Sequence, residues 1–336
     1  MILILSVLSI GFSVNVSASL EGVVKIATMF CAYGIAYNSV KSLHDVDHII
    51  NSILIASIFP LFFGIYQAIT GQYDQIYTGA IERINSVFGV GNAYGIFLTI
   101  TICASIISLM RKGLSKIGRI VIIVLLCLMI VSQILALNRG TWIALCVAIF
   151  IAIIPYKKDI NLRWFIIGAI LIFSVFSGII YDRFTNEGYR PTGEKRDTLS
   201  NRVEYWYSAV PMIMDRPIIG HGIGTTASKN DERSLLAPHN DYIRLALDIG
   251  ILGSIVYIYF LVSLALYFLR KRNKINDVMF RYNFPMAVMN SYFVIISTTQ
   301  NIVYNMVSFV IYMILNGAII KLNVVEIRKK ARVMYN

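Results

Sequence analysis

Residues 119–142 read RIVIIVLLCLMIVSQILALNRGTW. From Ile120 to Leu137 the run has no charged side chain. A helix of that length rises about 27 Å, close to the roughly 30 Å of a bilayer's hydrocarbon core. The run stops at Leu137-Asn138-Arg139-Gly140, and a second apolar run starts at Thr141. Two spanning helices joined by a tight turn set the fold class as all-α and polytopic.

The rest of the chain repeats the pattern. It is 57% hydrophobic and 14% charged, with mean hydropathy +0.70, against about 45–50% apolar and about 25% charged in soluble domains. Ten spans are predicted: about 2–18, 22–40, 50–69, 89–110, 119–137, 141–156, 164–181, 242–269, 285–300 and 304–320. The first reads as a span rather than a cleaved signal, because it lacks a basic leading segment and a small-residue cleavage site. With no internal repeat or linker, residues 1–336 read as a single membrane domain.

The net charge of +12 gathers in short loops: Arg111 to Arg119, Lys157 to Arg163, Arg270 to Arg281, and Lys321 to Arg332. All four fall on one side of a ten-span chain, which makes that side cytoplasmic. The charge is a topology signal, and no nucleic-acid partner is called for. Both termini are then expected inside, and the 137–140 turn outside. Cys31, Cys103, Cys127 and Cys146 all lie in apolar runs, so no disulfide is expected.

One long polar stretch breaks the pattern: residues 181–240, with eight Lys/Arg and two of the four histidines. It is expected outside the cytoplasm as one large loop. Within it Asn201 and Glu204 have capping-box spacing, followed by Val203, Trp206, Val210 and Ile213 at helical spacing. This predicts an amphipathic helix near 202–214 on the membrane surface, kinked by Pro211. Arg202 would lie in its first turn, where a cation does not help the helix, so it is either a solvated arginine or a ligand residue. Trp206 is either an interfacial anchor or a platform for a sugar face. Arg139 is either an arginine snorkelling to the headgroups or a guanidinium that binds a phosphate through paired donors. His221, between glycines, reads as an exposed loop residue.

His239 is the sharpest candidate. Pro238 breaks what precedes it and an apolar helix follows, so the imidazole sits at the outer mouth of a span. A histidine there can accept a proton at neutral pH, as a general base must. Asp241, Arg244 and Asp248 follow at spacings that share one helix face; they are either a structural ion-pair cluster or part of a site. His44 and His48 have i,i+4 spacing but no third partner. No metal site and no cofactor is assigned.

Four stretches, taken in order, resemble a known family: Arg83-Ile84-Asn85-Ser86 through Gly91-Asn92; Leu137 to Trp142; Asn201-Arg202 through Arg216-Pro217 to Gly222; and Pro238-His239-Asn240-Asp241-Tyr242 through Gly250 to Gly253. Together they resemble the O-antigen ligase and O-antigen/capsule polymerase superfamily of bacterial membrane glycosyltransferases, a GT-C-like helical bundle. The resemblance implies transfer of a glycan from a polyprenyl diphosphate carrier to a saccharide acceptor, on the outer face of the cytoplasmic membrane. It implies that Arg139 and Arg202 contact the donor diphosphate and that His239 acts on the acceptor hydroxyl, with a flippase and a chain-length regulator as partners besides the bilayer. Two departures stand out. Asn92 lacks the His-Pro that often precedes it, and Asp248 replaces the more usual glutamate.

The resemblance does not separate a polymerase from a ligase. The shortness of the 181–240 loop, with no evident docking surface for a protein acceptor, favours a polymerase. A transporter of lipid-linked sugars is the reading from another class. It should show inverted repeats or broken helices, and neither is read in the sequence.

Overall fold

The computed structural model describes residues 1–72, 83–157, 162–185, 198–227, 238–270 and 277–335. The described residues form an all-α, polytopic bundle: α1 (Ile2–Ile10), α2 (Val16–Ser39), α3 (Leu43–Thr70), α4 (Gly91–Leu109), α5 (Lys116–Leu135), α6 (Arg139–Tyr156), α7 (Leu162–Thr185), α8 (Thr198–Asp215), α9 (Asp241–Arg270), α10 (Asp277–Ile296) and α11 (Met306–Tyr335). Seven are long and apolar enough to cross a membrane: α2, α3, α4, α5, α6, α9 and α11 as far as Arg328.

The expected first span is not one helix. α1 ends at Ile10, and its nine residues rise only about 13 Å. Asn15 then caps α2, its side chain accepting from the Ala18 N–H at 3.0 Å, so a helix start lies inside the stretch read as 2–18. α7 and α10 occupy the stretches read as spans seven and nine, and α10 falls outside the seven. The reason in α10 is polar content: Arg281, Asn283, Asn290 and Ser291 are all buried. Its asparagines are served within the helix, with Asn283 Nδ2 donating to the Met279 carbonyl at 2.9 Å and Asn290 Nδ2 to that of Met286 at 2.8 Å.

The chain divides into two compact units. The first takes residues 1–46, 199–266 and 293–336. Here α2 and α11 pack side by side, and Gly317 allows the approach. A Cβ at Gly317 would lie 2.5 Å from the Tyr33 carbonyl oxygen. Nearby, the rings of Phe293 and Tyr312 stack with centroids 3.8 Å apart.

The second unit takes residues 47–198 and 267–292. Tyr156 is fully buried, donates to the Phe268 carbonyl at 2.8 Å and packs against Phe280 and Phe284. Asp47 gathers Arg281 Nη2 at 3.2 Å, the Tyr282 hydroxyl at 2.8 Å and, more loosely, Arg111 at 3.7 Å. Two residues of the sequence's basic loops are therefore anchored on one carboxylate.

Gly317→Val places two methyl groups where the Tyr33 carbonyl stands. Overpacking of this kind costs about 1–3 kcal/mol. The variant should melt below the wild type in detergent while keeping its helical content, and an unchanged melting temperature would rule out this close helix contact.

Candidate functional site

Six of the residues singled out by sequence lie in the first unit: Arg202, Trp206, His239, Asp241, Arg244 and Asp248. Arg139 and Asn92 lie in the second. The first group is built around an interruption in α9. Ile249 (φ −129°, ψ 21°) and Gly250 (φ 78°, ψ 171°) leave helical geometry, which frees backbone groups that a bilayer cannot satisfy. The 217–226 segment satisfies them. The His221 and Gly222 N–H groups donate to the Leu247 and Asp248 carbonyls at 2.8 and 2.9 Å, and the Ile251 N–H donates to the Pro217 carbonyl at 2.8 Å. Gly250 must be glycine, because its φ is positive and the Ile218 carbonyl sits where a Cβ would go.

Asp248 locks this junction. It is fully buried and accepts from Gly224 N–H at 3.1 Å, Thr226 N–H at 3.3 Å and Thr226 Oγ1 at 2.8 Å, and from the Tyr304 hydroxyl. His221, expected to be exposed, is buried in the same segment, with Nε2 against the Met212 carbonyl at 2.9 Å. Asp241 is likewise consumed by structure. Its carboxylate accepts from Ile302 N–H at 3.0 Å, Val303 N–H at 3.3 Å and the Tyr257 hydroxyl at 3.2 Å. The expected ion-pair cluster of Asp241, Arg244 and Asp248 is therefore absent among the described residues, since both acids serve backbone N–H and hydroxyl donors.

His239 stands at the start of α9 with φ 46°, a left-handed conformation that costs on the order of 1 kcal/mol in a non-glycine residue. Its neighbours fix the turn. Trp206 Nε1 donates to the Pro238 carbonyl at 2.8 Å. Asn240 Oδ1 accepts from Tyr242 N–H at 2.9 Å and Ile243 N–H at 3.2 Å. The Asp241 N–H donates to the Ser297 carbonyl at 2.8 Å, and the Arg244 N–H to the Asn240 carbonyl at 3.0 Å. The first four N–H groups of α9 are thus satisfied, and what the turn offers to a ligand is side chains. The imidazole is partly exposed.

α8 starts at Thr198, three residues before the Asn201 cap read from sequence, so Arg202 sits past the first turn. Arg202 and Trp206 are four residues apart and share one face of α8. Trp206 ties that face to the carbonyl just before His239. This was the role that sequence reading missed: spacing marked Trp206 as an anchor or sugar platform, and no local signal identifies a carbonyl 32 residues away.

In the second unit two helix starts meet. Asn138 caps α6, accepting from Thr141 N–H at 3.3 Å, and Arg139 opens that helix with its Cζ 5.6 Å from the Phe184 ring centroid. Asn92 is the second residue of α4. Gly91 lets α4 approach the turn before α6: a Cβ there would lie 3.0 Å from the Ala136 carbonyl oxygen. Gln67 orders the 85–86 segment, with Oε1 accepting from the Asn85 and Ser86 N–H groups at 3.2 and 2.7 Å.

Across both units, the positive-φ non-glycine residues among the described residues are Ser86, Leu137 and His239. Each falls in one of the four stretches that carry the family resemblance. Strained backbone of this kind concentrates at functional sites. No three His, Cys, Asp or Glu side chains among the described residues are grouped so as to hold a metal ion.

A family model described as O-antigen ligase matches residues 122–258, which contain Arg139, Arg202 and His239. The chain is similar to the O-antigen ligase/polymerase superfamily. A Rickettsia conorii protein provisionally named polysaccharide ligase is 24% identical over 177 residues, 48% of this chain. An uncharacterized Haemophilus influenzae protein is 26% identical over 176 residues, 46% of this chain. These matches span less than half of either relative, 42% and 44% respectively. The α9 junction lies inside the O-antigen ligase match and accounts for an acidic residue there: at position 248 it holds the 217–226 segment in place.

Asp248→Asn keeps the size of that side chain but gives it an NH₂ facing donors. Leaving buried donors unsatisfied costs about 1–3 kcal/mol. Amide exchange at Gly222–Thr226 should accelerate in this variant before the rest of the protein exchanges faster. Unchanged exchange there would remove Asp248 from its clamping role.

Proposed function

We propose that the protein is a membrane glycosyltransferase that polymerises polyprenyl-diphosphate-linked oligosaccharide repeat units. The reaction would take place on the outer face of the bacterial cytoplasmic membrane, with both termini inside, as the four basic loop clusters suggest. The observation that carries the reading is the Trp206–Pro238 hydrogen bond, which couples the Arg202 face of α8 to the strained His239 turn.

In this reading His239 takes the proton of the acceptor hydroxyl. The resulting oxygen nucleophile attacks C1 of the donor sugar, the C1–O bond to the diphosphate breaks, and the anomeric centre inverts in a single displacement. The electron pair leaves on the diphosphate. Arg202 and Arg139 are assigned to neutralise it through paired donors, a charge load that a divalent cation carries in other transferases. Asn92 supports the start of α4 beside the Arg139 turn. The apolar helices give the polyprenyl tail its solvent, and a flippase and a chain-length regulator are the expected partners.

A ligase, transferring the finished glycan to lipid A-core or a protein, is the second reading. It is favoured by the description of the matching family and the name of the Rickettsia relative. A transporter finds less support: α9 is broken, but backbone from residues 217–222 fills the break rather than leaving it to line a substrate path.

A deletion strain complemented with wild type, His239→Ala or Arg202→Ala separates these. A general base contributes about 10²–10⁴-fold and a donor that stabilises developing charge about 10²–10³-fold, so both variants should be inactive at wild-type membrane levels. Single repeat units on the acceptor, in place of the wild-type ladder, identify a polymerase. Long chains retained on the lipid carrier identify a ligase, and wild-type ladders from both variants refute the assigned site.

A further inference from the structure

Among the described residues, Arg244 is a buried cation with two donors that the fold does not meet. Its residue is only 4% exposed. Its Cζ lies 3.8 Å from the Tyr304 ring centroid, and the Tyr304 hydroxyl is itself held by Asp248, so the ring is a fixed platform. Neither Nε nor Nη2 has a hydrogen-bond partner among the described residues. The acids one turn away on either side are both committed elsewhere: Asp241 to the 302–303 backbone and Tyr257, Asp248 to Gly224, Thr226 and Tyr304.

The cation–π contact and the electrostatic attraction of the Asp241 carboxylate offset part of what burying a guanidinium costs, but they leave the Nε/Nη2 edge without an acceptor, so a ligand is left to supply it. The two orphan donors point to its chemistry. Nε and Nη2 form one edge of the guanidinium, and that edge binds two oxygens of a phosphate or carboxylate side by side. A second cation is near: Lys25 Nζ lies 6.0 Å from the same Tyr304 centroid, paired with Glu21 at 2.5 Å. An ionisable residue inside a span, with donors that the fold does not meet, marks a candidate functional position.

We propose that Arg244, set on Tyr304 and supported by Lys25, binds an oxyanion of the substrate through its Nε/Nη2 edge. The identity of the ligand rests on the glycosyl-transfer reading, in which two sources carry this chemistry: the donor's diphosphate and an acidic sugar of the glycan. The site would be a cationic contact additional to Arg202 in the first unit, at the fourth residue of α9.

The test is binding, so it does not depend on turnover. Full-length protein in lipid nanodiscs is titrated with inorganic pyrophosphate and, separately, with glucuronate, reading the rise in melting temperature. One of the two should give a saturable rise in the wild type, naming the source. Its half-saturating concentration should increase about 10–100-fold in Arg244→Gln and in Arg244→Lys, the loss expected for charge-assisted bonds. Arg244→Lys keeps the charge and the stem but not the two-donor edge, and it carries the comparison alone should the glutamine variant fail to fold. No rise with either anion in the wild type overturns the inference, as does an unchanged half-saturation in Arg244→Lys. Glycan transfer by the wild type in the same preparation separates that failure from failure of the glycosyltransferase reading.

Discussion

Backbone polar groups at membrane depth must find partners within the protein, and in this chain that constraint is concentrated at the break in α9. Interrupting the helix at Ile249–Gly250 strands carbonyls and an N–H that lipid cannot serve. The 217–226 segment serves them, and its own path needs left-handed backbone at Gly220, Gly222 and Gly224. Asp248, with four donors on its carboxylate, makes the junction rigid. Since the segment begins where α8 ends, holding it also sets where α8 lies, and α8 carries Trp206 to the Pro238 carbonyl. The His239 turn is thus positioned by a chain of contacts that starts at the broken helix.

A division of labour among the charged residues follows. Asp241 and Asp248 are turned inward onto N–H and hydroxyl groups, which stabilises the turns they hold and directs their hydrogen bonds to the backbone and to hydroxyls rather than to the nearby Arg244. Arg244 remains with two unsatisfied donors. The candidate site therefore collects cationic and basic side chains, a balance suited to a ligand that brings its own negative charge. Strain follows the same geography: Ser86, Leu137 and His239 hold left-handed conformations at three of the four stretches that carry the family resemblance.

The sequence made the elements that hold the candidate site legible because their signals are local. Apolar run length gave the all-α class, the Asn138-Arg139 turn was visible as a charge between two spans, and Pro238-His239-Asn240 was visible as a helix start. What it hid depends on partners far along the chain. Nothing near Trp206 marks Pro238 as its acceptor, and nothing near Asp241 marks the amides of Ile302 and Val303. The spacing of Asp241, Arg244 and Asp248 suggested ion pairs, because spacing reports a shared helix face and not which side chains turn away from it. The break in α9 was hidden for the same reason: a glycine in an apolar run is ordinary, and only the segment packed into the break shows why the helix stops there. At the N-terminus the opposite error arose, since continuous hydropathy masked the Asn15 cap that separates α1 from α2.

The most direct test of this account is Trp206→Phe, which deletes one N–H and keeps an aromatic ring. Purified in nanodiscs and supplied with lipid-linked donor and acceptor, the variant should melt within about 1 kcal/mol of the wild type. Its glycan transfer should fall by about tenfold or more, through misplacement of a catalytic group. Wild-type transfer rates with the Pro238 contact removed would contradict the claim that this hydrogen bond aligns α8 with the His239 turn.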